Sequence, residues 1–136
     1  MFQTTLRLRP YTRGFHLITD EIEDALHACS TRNGIVHIFI KHTSASLTIN
    51  ENADPSVRTD MESFMSDTCD DKHYFVHTYE GSDDMPAHLK ASLLGSSVTL
   101  PLTNGRLNLG TWQGIYLGEY RDHASGREIV ITVIGE

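Results

Sequence analysis

Cysteine is scarce in this chain: there are two in 136 residues, at positions 29 and 69 and without C-x-x-C spacing. Neither a disulfide framework nor a thiolate metal cluster is expected, and both read as buried free thiols. Long apolar runs are missing as well. The strongest, "GIVHIFIK" at 34–41, is interrupted by His37 and falls far short of the roughly 20 residues that cross a bilayer, so no membrane span is expected. Positive charge is in short supply: 11 Lys and Arg face 18 Asp and Glu, a net charge of -7. That balance argues against a polyanion-binding surface and against nucleic acid as a partner. The opening residues "MFQTTLRLRPYTRG" carry basic side chains but no apolar core and no small-residue cleavage site, so the expected location is the cytoplasm. No repeat, linker or low-complexity segment breaks the chain, and its length suits one hydrophobic core. A single domain over 1–136 is expected.

What is present is a β-rich pattern with three helical interruptions. "TTLRLRP" and "GFHLIT" read as strands, the first by alternation through Leu6 and Leu8. Ile22, Ala25, Leu26 and Cys29 then recur at helical spacing, with Thr19 or Asp20 as the expected N-cap. "IVHIFIK" and "SLTIN" are the next two strands. Asp54 followed by Pro55 opens a second helix, whose expected apolar face is Val57, Met61, Phe64 and Met65. "HYFVH" at 73–77 reads as a short strand. A third helix follows over "DDMPAHLKASLLG", with Leu89, Leu93 and Leu94 along one side and Gly95 at its end. "SVTLPL" and "RLNLG" flank Asn104-Gly105, a tight-hairpin signal, and "GIYLGEYR" and "REIVITVIG" flank "DHASG", read as a second hairpin. The fold class is α+β: largely antiparallel sheets of eight or nine strands with three helices.

Eight histidines are present, and three stand apart. His42 ends a buried strand and opens "HTSAS", His77 ends the strand read at 73–77, and His88 lies one turn into the third helix. Strand ends and first helical turns are where side chains from separate elements converge on a cleft. Three imidazoles meeting there suit Zn²⁺ or another late first-row divalent ion, with a fourth position open. His16, His27, His37, His73 and His123 sit singly and read as structural or solvated. Asp84 precedes His88 by four residues, on the same helix face, where it either orients an imidazole or acts on a bound water; the alternative is that Asp83 or Asp84 simply caps the helix. Two further segments carry polar groups. "HTSASLTINEN" gathers Thr43, Ser44, Ser46 and Glu51 near His42, as a grip for phosphate oxygens or as a solvated edge strand. "LGTWQGIY" places Gly110, Thr111, Trp112 and Gln113 in either an anion-binding nest or a tight turn with a core tryptophan.

Read together, "KHTSASLTINENADPSVRTDME", "HTYEGSDDMPAHLKASLLG" and "LTNGRLNLGTWQGIYLGEYRD" resemble the YjbQ-like family, also called the secondary thiamine-phosphate synthase family, in order and over essentially the whole chain. The resemblance implies a β-rich α+β fold that assembles as a homotrimer, with a site of histidines and acidic residues near subunit boundaries. It also implies a secondary, weak thiamine-phosphate synthase activity. Carried onto this chain, it makes His42, His77 and His88 metal ligands and Glu51 and Asp84 the acid-base groups. Thr43, Ser44, Ser46 and the 110–113 turn are the expected substrate contacts, for the condensation of a hydroxymethylpyrimidine diphosphate with a thiazole phosphate. Diphosphate chemistry recruits Mg²⁺ through oxygen ligands, whereas imidazoles favour a zinc-like ion. Two alternatives therefore stand beside the synthase: a metal-dependent hydrolase or lyase of a small phosphorylated metabolite, and a non-enzymatic trimer that binds a metabolite or metal.

Overall fold

Strands in this protein pair mostly across the sequence rather than along it. The computed structural model describes residues 1–136 and contains β1 (Phe2–Arg7), β2 (Gly14–Leu17), α1 (Thr19–Leu26), β3 (Gly34–Ile40), β4 (Ala45–Glu51), α2 (Pro55–Cys69), α3 (Asp84–Leu94), β5 (Ser97–Thr103), β6 (Arg106–Leu107), β7 (Gln113–Glu119) and β8 (Glu128–Gly135). Five strands form one sheet in the order β1-β8-β3-β5-β6, and three form another in the order β2-β7-β4. Every pairing is antiparallel.

Burial explains the stacking. The larger sheet turns Val36, Ile38, Ile40, Leu100, Leu102, Ile129, Ile131 and Val133 inward, against Leu47, Ile115 and Leu117 of the smaller sheet and Ile22 and Leu26 of α1. Each such side chain withdrawn from water contributes roughly 1.5–3 kcal/mol. The other face of the smaller sheet buries Phe15, Tyr116 and Tyr120 against Met65 and Cys69 of α2 and Ala87 of α3. β7 is therefore covered on both faces, as its near-continuous burial records. The order of layers is large sheet, small sheet, then α2 and α3. The outer face of the large sheet carries no helix, and Ile35, Phe39 and Ile134 stand exposed on it.

Several expectations change. Residues 73–77 form no strand; Tyr74 and Val76 are exposed, and a strand with nothing to pack against has no reason to form. "DHASG" closes no hairpin, because β7 and β8 belong to different sheets and the loop between them crosses from one layer to the other. Thr19 is the first residue of α1 rather than its cap; its Oγ1 accepts the N–H of Ile115. In α2, Phe64 is exposed and Met65 and Cys69 are buried. In α3, Leu93 is exposed while Asp84, Pro86, Ala87 and Lys90 are buried. Both cysteines are free, but only Cys69 is fully buried. The Asn104-Gly105 turn forms as expected, with positive φ at both residues and Thr103 opposite Arg106. Asp54 caps α2 through the N–H of Ser56.

α3 buries a polar face because α2 supplies partners for it. Lys90, with no exposed surface, places Nζ 2.9 Å from Asp70 Oδ1, a contact more electrostatic than well-aligned hydrogen bond. Arg13 donates to Asp70, Glu62 and Ser66. Burial alone raises the Asp70 pKa, but Lys90 and Arg13 outweigh it and hold the carboxyl below its ordinary value. A carboxylate whose folded pKa is depressed stabilises the fold above the unfolded value of about 3.9 and ceases to do so as pH falls through the folded pKa. Acid unfolding of wild type is thus expected to steepen below about pH 4, and Asp70→Asn is expected to flatten that limb. Acid titrations by circular dichroism that coincide for the two chains would refute the assignment.

Candidate functional site

Asp84 is the organising residue. It opens α3, is 1% exposed, and turns its two oxygens in opposite directions. Oδ1 accepts from Arg121 Nη1 at 2.7 Å. Oδ2 lies 2.7 Å from His77 Nε2 and 3.3 Å from His88 Nε2. The helical spacing read from the sequence does bring Asp84 and His88 to one face. His77 arrives from the irregular segment before the helix, and the two imidazole centroids stand 5.3 Å apart.

The turn that delivers Asp84 is built around Arg121. Besides Asp84, its guanidinium donates from Nε to Asp83 Oδ2 at 2.8 Å and from Nη2 to the Glu80 carbonyl at 2.7 Å. Asp83 Oδ2 also accepts the N–H of Asp122, so neither aspartate caps α3 through its side chain. Burial alone raises the Asp83 pKa, but the bonds from Asp122 and Arg121 overcome this and lower it. Its hydrogen bond, chiefly, raises that of Arg121. Gly81 makes the turn possible. Its φ is +106°, and a β carbon there would sit 2.8 Å from Asp83 Oδ1.

Tautomers follow from the partners. His88 Nδ1 faces the Thr43 carbonyl at 2.9 Å, which can only accept, so Nδ1 carries the proton. In a neutral ring the Nε2 lone pair then faces the Asp84 carboxylate, an arrangement that calls for a proton or a cation between them. His77 Nε2, Asp84 Oδ2 and His88 Nε2 all lie within 4.8 Å of one another, and two imidazole nitrogens plus a carboxylate oxygen match the donor set of zinc-like ions better than the all-oxygen set of Mg²⁺.

His42 is not one of these three. Its Nε2 accepts the backbone N–H of Glu128 at 2.8 Å, which spends that lone pair and leaves the proton on Nδ1; burial and then Arg127 lower its pKa. His42 does share a cleft of about 300 Å³ with Thr43, His88, Ser92 and Ser96. Of the expected hydroxyl contacts, Thr43 lines this cleft. Ser46 does not: it is buried, with Oγ 2.6 Å from Tyr120 Oη. The Ser44 carbonyl is taken by Arg127. Ser92, Ser96 and Arg121 were missed by the sequence reading, the serines because nothing marks them, and Arg121 because its partners lie far away in sequence.

The remaining residues assemble elsewhere. Glu51 ends β4 opposite Gln113, roughly 20 Å along the strand from Ala45 at about 3.3 Å per residue. Asn52 donates to the carbonyls of Thr111 and Gln113, fastening the 110–113 turn beside Glu51. Gln113 Oε1 accepts the Gly110 N–H, so that N–H is not free for an anion nest. Trp112 is 65% exposed, not a core residue. Glu51 Oε2 is buried without a hydrogen-bond partner.

The family described as "UPF0047 protein YjbQ-like" matches residues 4–136. The UPF0047 protein YjbQ of Salmonella typhimurium is 53% identical over 136 residues, 99% of each chain. A UPF0047 protein of Synechocystis is 39% identical, covering 98% of this chain and 92% of its own. Among solved structures, a hypothetical protein of Aeropyrum pernix K1 superposes with a TM-score of 0.89 at 27% identity, over 100% of both chains. A YbjQ-like protein of Sulfolobus solfataricus P2 gives 0.88 at 26% identity, over 99% of this chain and 97% of its own. By sequence and by fold, this chain belongs to the UPF0047 YjbQ-like family.

Proposed function

We propose that the protein is a metal-dependent enzyme of the cytoplasm that acts on a small phosphorylated metabolite, with a zinc-like ion held by His77, Asp84 and His88. The observation that carries this is the Asp84 Oδ2 atom set between two Nε2 atoms, with His88 Nδ1 turned away to the Thr43 carbonyl. Such an ion supplies Lewis acidity toward a phosphoryl or carbonyl oxygen. The chain's own groups do the rest. Arg121 fixes the carboxylate, hydroxyls of Thr43, Ser92 and Ser96 orient a polar substrate in the adjoining cleft, and His42, neutral with its Nε2 taken by the Glu128 N–H, donates a hydrogen bond from Nδ1–H to a substrate oxygen. Glu51 cannot reach this cleft within one chain.

Condensation of a pyrimidine diphosphate with a thiazole phosphate is the activity the family resemblance brings, and the nitrogen-rich donor set favours it as a side reaction. A homotrimer is the expected assembly, supported by the uncovered face that carries Ile35, Phe39 and Ile134. Elemental analysis of tag-free protein beside a His88→Ala chain tests the centre: near-stoichiometric zinc-like metal in the first and none in the second is expected. No metal in either after reconstitution would sink the reading. Metal without turnover of the two precursors or of any phosphorylated metabolite would make the protein a binding module.

A further inference from the structure

A second cleft, of about 370 Å³, opens at the other end of β5, between the end of α1 and the β5–β6 turn. Ser96 lines the His42 cleft and Asn104 lines this one, so the two are roughly 25 Å apart along an extended strand. Its volume is that of a small-molecule site.

Its charge is unusual for so acidic a protein. Of the eleven lysines and arginines, six pair with carboxylates and two others, Arg9 and Arg58, lie over tyrosine rings. Arg32, Lys72 and Arg106 remain, and two of these three line this one cleft. His27 lies beside them, and Leu26 and Leu107 contribute apolar surface.

The arginine positions are set by rigid backbone. The N–H groups of Arg32 and Asn33 both donate to the Glu136 carbonyl, and the Gly105 N–H donates to the Arg32 carbonyl at 2.8 Å. Asn33 Oδ1 accepts the Asn104 N–H. Gly105, at φ +80°, leaves the space that the Arg32 guanidinium fills, since a β carbon there would collide with Nη1. A guanidinium held this way has less freedom to lose on binding.

We infer that this cleft binds a small organic monophosphate, its phosphate between Arg32 and Arg106 and its apolar part against Leu26 and Leu107. Two guanidinium forks match phosphate oxygens better than any other common anion of this size. Glu23 on the wall and the carbonyl end of α1 repel additional negative charge, which selects a monophosphate over a diphosphate and favours a ligand with a hydrogen-bond donor. The site is independent of the proposed metal centre.

Amide NMR titration of the full chain with phenyl phosphate, and with benzyl alcohol as the uncharged control, tests it. Saturable shifts at Asn104 to Leu107 are expected with phenyl phosphate alone. Each of Arg32→Gln and Arg106→Gln is expected to weaken binding about tenfold, the scale of one charge-assisted hydrogen bond, and the double variant to abolish it. Both side chains are exposed, so the fold should survive, and His88→Ala should bind as wild type does. Undiminished binding by the double variant, shifts confined to the His42 and His88 cleft, or no saturable shift would each overturn the proposal.

Discussion

An Asp84→Asn chain is expected to fold and to bind divalent metal at least 100-fold more weakly than wild type, exceeding the roughly 10- to 100-fold lost when only the partner of a ligand is removed. The amide keeps an oxygen for Arg121 and presents an N–H₂ to His88 Nε2, so the buried position stays satisfied while losing the negative charge that a cation needs. Isothermal titration with Zn²⁺ reads the affinity, and thermal melts of the apo chains read the fold. Equal affinities would remove Asp84 from the ligand set. A collapsed melting temperature would instead make the residue a structural anchor for Arg121.

Breaking the ion pair between Glu119 and Arg127 should have the largest effect on stability. The two meet through a double contact, Nε to Oε1 at 2.7 Å and Nη2 to Oε2 at 2.5 Å, and both residues are buried. Glu119 Oε2 also accepts the N–H groups of Tyr120 and Arg121, while Arg127 reaches the Ser44 carbonyl. Glu119→Ala strands a guanidinium away from water, at a cost of about 3–5 kcal/mol. For a chain of this length that corresponds to a fall of roughly 10–20 °C in melting temperature. Arg127→Met, which removes the charge but keeps the bulk, strands the carboxylate instead and should fall in the same range. A loss below about 1 kcal/mol in both would show that water reaches the pair. The pair ties residue 44 to the loop that carries Arg121, so the surviving fold should also hold metal less well.

Much of this fold is readable from residue order. Asp54-Pro55 announces α2, Asn-Gly announces the β5–β6 turn, and alternation through Leu6 and Leu8 marks β1. The misreadings share a cause. "HYFVH" has the composition of a strand, yet no neighbouring edge pairs with it, and composition carries no information about neighbours. The strands around "DHASG" are both real, but which sheet each joins is decided by packing between layers. Of the α3 leucines expected on its buried side, Leu89 and Leu94 do pack against the second core and Leu93 is exposed, while full burial also goes to Asp84 and Lys90, whose partners Arg121 and Asp70 lie in other elements. At the site, the spacing of Asp84 and His88 is a local signal and holds. His42 shares the cleft but stands outside the His77, Asp84 and His88 cluster, because a backbone N–H from β8 occupies its Nε2, and that pairing is invisible before the sheet is assembled.

The place of β8 in the large sheet also bears on how the protein is made. β8 lies between β1 and β3, so the two strands that flank it are synthesised long before it. As the chain leaves the ribosome, β1 has no partner and β3 has one open edge until β8 emerges. Such exposed edges invite pairing with other chains, and closing them requires contacts between distant parts of the sequence, which form slowly. Nascent chains halted before residue 128 should therefore be the ones that chaperones hold and that aggregate when chaperones are scarce, and release of the last strand is the event that closes the sheet.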